Sequence, residues 1–120
     1  MIYKPAKTWI QCKRLSFKHW GGECLYSRKY IYIVKPHWSG LLSKIDPAHV
    51  FGRGSSPHMA FIPANVIPLC RYIHSLIDQN IDPQTGKPMT EGQREEILRS
   101  LVGDEVYNRL EEIKRSFYNG

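Results

Sequence analysis

Lys44-Ile45-Asp46-Pro47-Ala48-His49-Val50-Phe51, the loop Gly52-Arg53-Gly54-Ser55-Ser56-Pro57, then Asn65-Val66-Ile67-Pro68-Leu69 and the run from Cys70 to Gln79 decide the fold. The first segment reads as a short strand interrupted by proline, and the glycines, serines and proline make the second a loop. Asn65 to Leu69 reads as a second short apolar strand. Beyond it Ile73, Leu76 and Ile77 recur at helical spacing, so a short helix carries His74 and Asp78. The local order is strand, loop, strand, helix.

Downstream, Asp82-Pro83-Gln84-Thr85-Gly86-Lys87-Pro88 is turn chemistry and ends that helix. Thr90 is a good N-cap with Gln93 placed to complete a capping box, and Ile97, Leu98 and Leu101 supply a buried stripe until Gly103. A last helix over about 104–117 would bury Val106, Leu110, Ile113 and Phe117. Upstream, residues 1–29 mix basic and aromatic side chains around Gly21-Gly22 and read as loops and short strands. Tyr30-Ile31-Tyr32-Ile33-Val34, closed by Pro36, is the strongest strand signal of that half. The fold class expected is α+β, with short N-terminal strands and a C-terminal helical pair.

The chain has 120 residues, enough for one domain and too few for two cores. Hydrophobic residues at 42% and aromatics at 12% exclude disordered, collagen-like and rod-like classes. No apolar run is long enough to span a bilayer, and Met1-Ile2-Tyr3-Lys4-Pro5 lacks the apolar core of a secretory signal. Action inside a cell is expected, without a membrane partner. Three cysteines, Cys12, Cys24 and Cys70, have no paired spacing and fit a reducing compartment.

The net charge of +6 is unevenly placed. Residues 1–60 carry ten Lys and Arg against Glu23 and Asp46, whereas residues 61–120 carry seven against nine acids. A dipole of this kind suits a polyanion, because cations that contact phosphates release condensed counterions.

His49, Asn65 and His74 stand out because each lies beside a signal that gives it a direction. Histidine serves as a general base near neutral pH and, as neutral imidazole, as a metal ligand. The run Asp46-Pro47-Ala48-His49-Val50-Phe51-Gly52-Arg53-Gly54, followed by Asn65-Val66-Ile67-Pro68-Leu69-Cys70-Arg71-Tyr72-Ile73-His74, resembles the HNH endonuclease motif, with His49, Asn65 and His74 at the name-giving positions. The similarity covers about residues 44–80. The Gly86-Lys87-Pro88 turn and the helices after it over about 90–118 resemble the tail of small phage-type members, while residues 1–43 match no family pattern.

The resemblance implies a ββα-metal core, a two-stranded ribbon packed on a helix with one divalent ion, Mg²⁺ or Mn²⁺, between them. It also implies hydrolysis of DNA phosphodiester bonds in the cytoplasm of a bacterial or phage-infected cell. His49 takes the role of base, Asn65 orients it or its loop, and His74 is a metal ligand.

Two departures bear on the site. Many relatives carry a metal-binding Asp or His directly before the base, where this chain has Ala48. Asp46 shares the pleat face of Ala48 and is one candidate ligand, though roughly 6–7 Å away at about 3.3 Å per residue. Asp78 is its rival, four residues after His74 on the same helical face. Many relatives also brace the motif with zinc held by two Cys-x-x-Cys pairs. Here Ser27 and Ile73 replace the second cysteine of each, so structural zinc is not expected, and Cys24 and Cys70 become buried neighbours.

Arg53 between glycines, with Lys44 and Arg71, would contact the DNA backbone. The alternative reading is an HNH-like nucleic-acid-binding module without efficient chemistry, which Ala48 and the missing cysteines would suit.

Overall fold

A computed structural model describes residues 2–30, 44–52 and 56–119. Helices α1 (Trp9–Trp20) and α2 (Leu25–Lys29) precede strand β1 (Ile45–His49). Two single 3₁₀ turns, Pro57–Met59 and Pro63–Asn65, lead to strand β2 (Val66–Cys70) and helix α3 (Arg71–Asp78). Helices α4 (Glu91–Val102) and α5 (Asp104–Asn119) follow. The class is α+β, and the order strand, loop, strand, helix is as expected.

β1 and β2 pair antiparallel in the register Asp46 to Leu69, Pro47 to Pro68 and His49 to Val66. The bonds at the ends of the ribbon, Val50 N–H to Asn65 O at 2.9 Å and Arg71 N–H to Lys44 O at 2.8 Å, set the alternation. Even-numbered residues of β1 are the hydrogen-bonded positions. Pro47 and Pro68 therefore face each other at a non-hydrogen-bonded pair, where neither needs the N–H it lacks. All five residues of β2 are buried. It is covered on both faces, which explains its unbroken apolar run.

The N-terminal segment corrects the reading of loops and short strands: residues 9–20 form a helix. Thr8 caps it, its hydroxyl accepting from Gln11 N–H at 3.1 Å. Gly21 ends it with φ 91°, donating its N–H to Phe17 O at 2.9 Å. The buried residues of α1 are Cys12 and Ser16, and the Ser16 hydroxyl donates to Val66 O. A serine that turns inward counts as polar in any periodicity, so the helical stripe is hidden. The expected strand from Tyr30 to Val34 lies outside the described residues, apart from Tyr30 itself, which follows α2 and stacks on Tyr26.

Tyr26, Met59, Ile62, Ile67, Leu69, Ile73 and Leu110 are fully buried and form the centre of the core. Each contributes about 1.5–3 kcal/mol relative to exposure. The Thr90–Gln93 capping box is present as expected, with Thr90 N–H donating to Gln93 Oε1 at 2.8 Å and Gln93 N–H to Thr90 Oγ1 at 3.2 Å. Leu98 and Val102 of α4 and Tyr107 and Leu110 of α5 join the same core. Phe117 departs from its expected place: it is 63% exposed, and its ring stacks on His58 with centroids 3.8 Å apart. Among the described residues no helix is long and apolar enough to cross a membrane.

Candidate functional site

Strand alternation places His49 with Ile45 and Pro47 on one face of β1, and Asp46 with Ala48 on the other. His49 ends the strand on the side of α1, where its ring stacks on Trp9 at 5.4 Å between centroids and 17° between planes. Its Nε2 lies 2.9 Å from Ala60 O. A carbonyl oxygen only accepts, so Nε2 carries the hydrogen, and in the neutral ring Nδ1 then holds the lone pair. In that tautomer Nδ1 is the nitrogen able to accept a proton. Trp9 is a neighbour of the site that sequence reasoning misses, because its segment reads as loop; Thr8 as a cap directly before it is the available signal.

Asn65 closes the 3₁₀ turn before β2 and is fully buried. Its Oδ1 accepts from Phe51 N–H at 2.8 Å, and its Nδ2 donates to Phe51 O at 3.0 Å and to Met59 O at 3.1 Å. One side chain thus replaces the ladder partner that β2 cannot offer beyond Val66. It ties the exit of β1 to the returning chain, and His49 lies two residues upstream of the tie.

On the opposite face α3 brings a polar chain together. Arg71 Nη2 reaches Asp46 Oδ1 at 3.1 Å, His74 Nδ1 lies 3.2 Å from Asp46 Oδ2, and His74 Nε2 lies 3.3 Å from Asp78 Oδ2. Burial raises the Asp46 pKa, but the hydrogen bonds from Arg71 and His74 outweigh it and hold the carboxyl below the usual range. Asp46 is 18% exposed and Asp78 62%. The two rival carboxylates occupy different nitrogens of one imidazole.

Each imidazole nitrogen of His74 stands at hydrogen-bond distance from one carboxylate oxygen. At about 2.1 Å per bond, two adjacent ligands of an octahedral ion stand about 3 Å apart, close to both observed spacings. A single ion cannot take Asp46 and Asp78 through the same nitrogen. Accordingly, among the described residues no three His, Cys, Asp or Glu side chains gather around one point.

The remaining sequence candidates fall as follows. Lys44 is exposed at the start of β1, Arg71 is exposed but engaged with Asp46, and Arg53 lies outside the described residues. Cys24 and Cys70 are buried neighbours with free thiols, Cys70 donating to Cys24, which also accepts from Ser27 N–H at 3.5 Å. The bond from Cys70 pushes the Cys24 pKa down, and the same bond, together with burial, pushes that of Cys70 up. Ile73 is fully buried where a second cysteine of the Cys70 pair would stand.

Comparison with family models, with curated proteins and with solved structures yields no match.

Proposed function

We propose that the chain is an HNH-type endonuclease that hydrolyses DNA phosphodiester bonds with one divalent ion on a ββα-metal core. One observation carries the reading. The single strand β1 presents Asp46 to His74 on one face and ends in His49 on the other, with the buried Asn65 fixing the turn between the two strands.

In this reading His49 removes a proton from the attacking water through Nδ1, with Nε2–H held by Ala60 O. Trp9 stacks on the ring and limits its rotation. Asp46 and His74 would hold the ion. Asp46 is the better partner than Asp78 because it is largely sheltered and is kept ionised by Arg71. Bound there, Mg²⁺ or Mn²⁺ supplies charge neutralisation for the phosphate and its leaving oxygen. Arg71 then steadies the second carboxylate oxygen of Asp46 rather than meeting the DNA.

The test is incubation of supercoiled plasmid with the protein in Mg²⁺, in Mn²⁺ and in chelator, beside His49→Ala and His74→Ala. Nicking or linearisation that needs the metal and falls by about 10²–10⁴ in His49→Ala supports the proposal. Asp46→Asn should remove cleavage and Asp78→Asn should leave it. Intact plasmid, branched DNA and single strands in every metal would overturn the catalytic reading in favour of a binding module.

A further inference from the structure

The first acid of the chain is Glu23, and before it stand Lys4, Lys7, Lys13, Arg14 and Lys18. All are exposed except Lys13, which is half-buried. The arginines of the C-terminal half behave differently. Arg71, Arg94, Arg99, Arg109 and Arg115 each pair with a carboxylate. Among the described residues no such ion pair involves a cation of the N-terminal segment.

Helix geometry lines up two of these cations. Arg14 and Lys18 lie one turn apart and continue the row of Ile10, which is 66% exposed. Trp9 and Lys13 form the adjoining row, with the Lys13 ammonium 5.9 Å from the centre of the indole. The strip is also anchored beside His49 at two points. Trp9 stacks on the His49 ring, and Ser16 bonds to the carbonyl of Val66, the residue paired with His49 across the ribbon. Ala6 N–H to Phe61 O and Ala64 N–H to Ile2 O, both at 2.8 Å, hold the chain before the helix to the same loop.

We propose that the outer face of α1, with Arg14 and Lys18, together with Lys7 just before the helix, is the surface on which the DNA backbone docks, and that it sets the strand against His49. The proposal rests on the endonuclease reading for its substrate, while its support, a row of cations not neutralised by neighbouring carboxylates on an anchored helix, lies outside the motif. Arg14 to Lys18 spans about 6 Å at about 1.5 Å per residue, roughly two phosphates of one strand at about 3.4 Å each, and Lys7 before the helix offers a third contact. Binding of this kind reads no bases, so the docking is independent of sequence.

The experiment measures binding of a labelled 30-base-pair duplex by fluorescence anisotropy in chelator, where cleavage plays no part. It compares wild type, the triple variant Lys7→Ala/Arg14→Ala/Lys18→Ala and the charge-matched control Lys87→Ala/Arg109→Ala/Arg115→Ala. Each neutralised phosphate contributes about 0.9 to the slope of log affinity against log salt. Because the triple variant leaves three phosphates without a cation, the wild-type affinity should fall about 40-fold more than that of the variant between 50 and 200 mM salt. The control should keep the wild-type slope, and the swap Lys7→Arg/Arg14→Lys/Lys18→Arg should restore it.

A triple variant with the wild-type slope overturns the proposal, even if the wild type cuts plasmid. So does a wild type that binds anionic lipid vesicles through these residues and leaves the duplex unbound. A wild type that binds through α1 yet never cuts retains the docking surface and removes the nuclease.

Discussion

Replacing Asn65 by Ala should unfold the site before it alters any chemistry. The amide makes three hydrogen bonds, to Phe51 N–H, Phe51 O and Met59 O. Each contributes about 1 kcal/mol net, and a buried group left without its partner costs about 1–3 kcal/mol. Met59 O keeps a second donor in Ile62 N–H at 3.2 Å, and Phe51 is only half-buried, so water can reach part of the gap. The loss should come to about 3–4 kcal/mol, a large share of the roughly 5–15 kcal/mol that stabilises a domain. Urea unfolding followed by circular dichroism reads it directly, with the denaturant slope unchanged. Asn65→Asp sharpens the test. Its carboxylate still accepts from Phe51 N–H but meets two carbonyl oxygens where the amide donated, so its pKa is raised in the folded state. That variant should lose further stability as pH rises above about 4, the ordinary carboxyl value, while the wild type does not. A loss below about 1 kcal/mol in Asn65→Ala, or an Asn65→Asp penalty independent of pH, would refute the role of Asn65 as the tie between strands.

Asp46 gives a second titration of opposite sign. Its folded pKa is depressed by Arg71 and His74, so its contribution is present above the ordinary carboxyl value and lost as pH falls through the folded one. With Arg71 half exposed the increment should be at most about 1 kcal/mol, and urea midpoints at pH 3 and 6 should show it in the wild type and not in Asp46→Asn. Thr90→Ala removes the capping box of α4 and should cost about 1 kcal/mol; an unchanged melting temperature would deny the box any energetic role. Ultraviolet absorbance of the Cys24 thiolate, taken as the difference between wild type and Cys24→Ser, should have its pH midpoint below that of a free cysteine and move up in Cys70→Ala, which lacks the donor; equal midpoints would break the inferred thiol pair.

The parts of the fold that are legible in the sequence are those whose chemistry is local. The two strands around Pro47 and Pro68, the cap at Thr90 and the stop at Gly103 each follow from a residue and its near neighbours. Helix α1 is not legible because its buried face consists of Cys12 and Ser16, small side chains that leave no apolar stripe, and because Ser16 hydrogen-bonds to a strand 50 residues away. Phe117 fails for the converse reason: its spacing is right, but the fully buried core ends near Leu110, and the ring meets His58 instead. At the site, the spacing of His74 and Asp78 announces their contact. The choice between Asp46 and Asp78 depends on which ring nitrogen each faces, a matter of strand register and helix placement that no local pattern encodes.

That register separates the two histidines by electrostatic surroundings, and the separation suits the hydrolytic site proposed above. Trp9 gives the His49 ring an aromatic face and Ala60 O an acceptor, and an imidazole with its hydrogen on Nε2 satisfies both. His74 faces carboxylate oxygens at both nitrogens, so its surroundings are anionic. A base must begin neutral, and the position that neutralises a phosphate must begin anionic enough to hold a cation. One short strand carries both requirements to opposite faces, Asp46 supplying the anionic side and His49 the neutral one. In the proposed site Ala48 therefore need not be a ligand, because Asp46 already brings a carboxylate to the face that the two residues share.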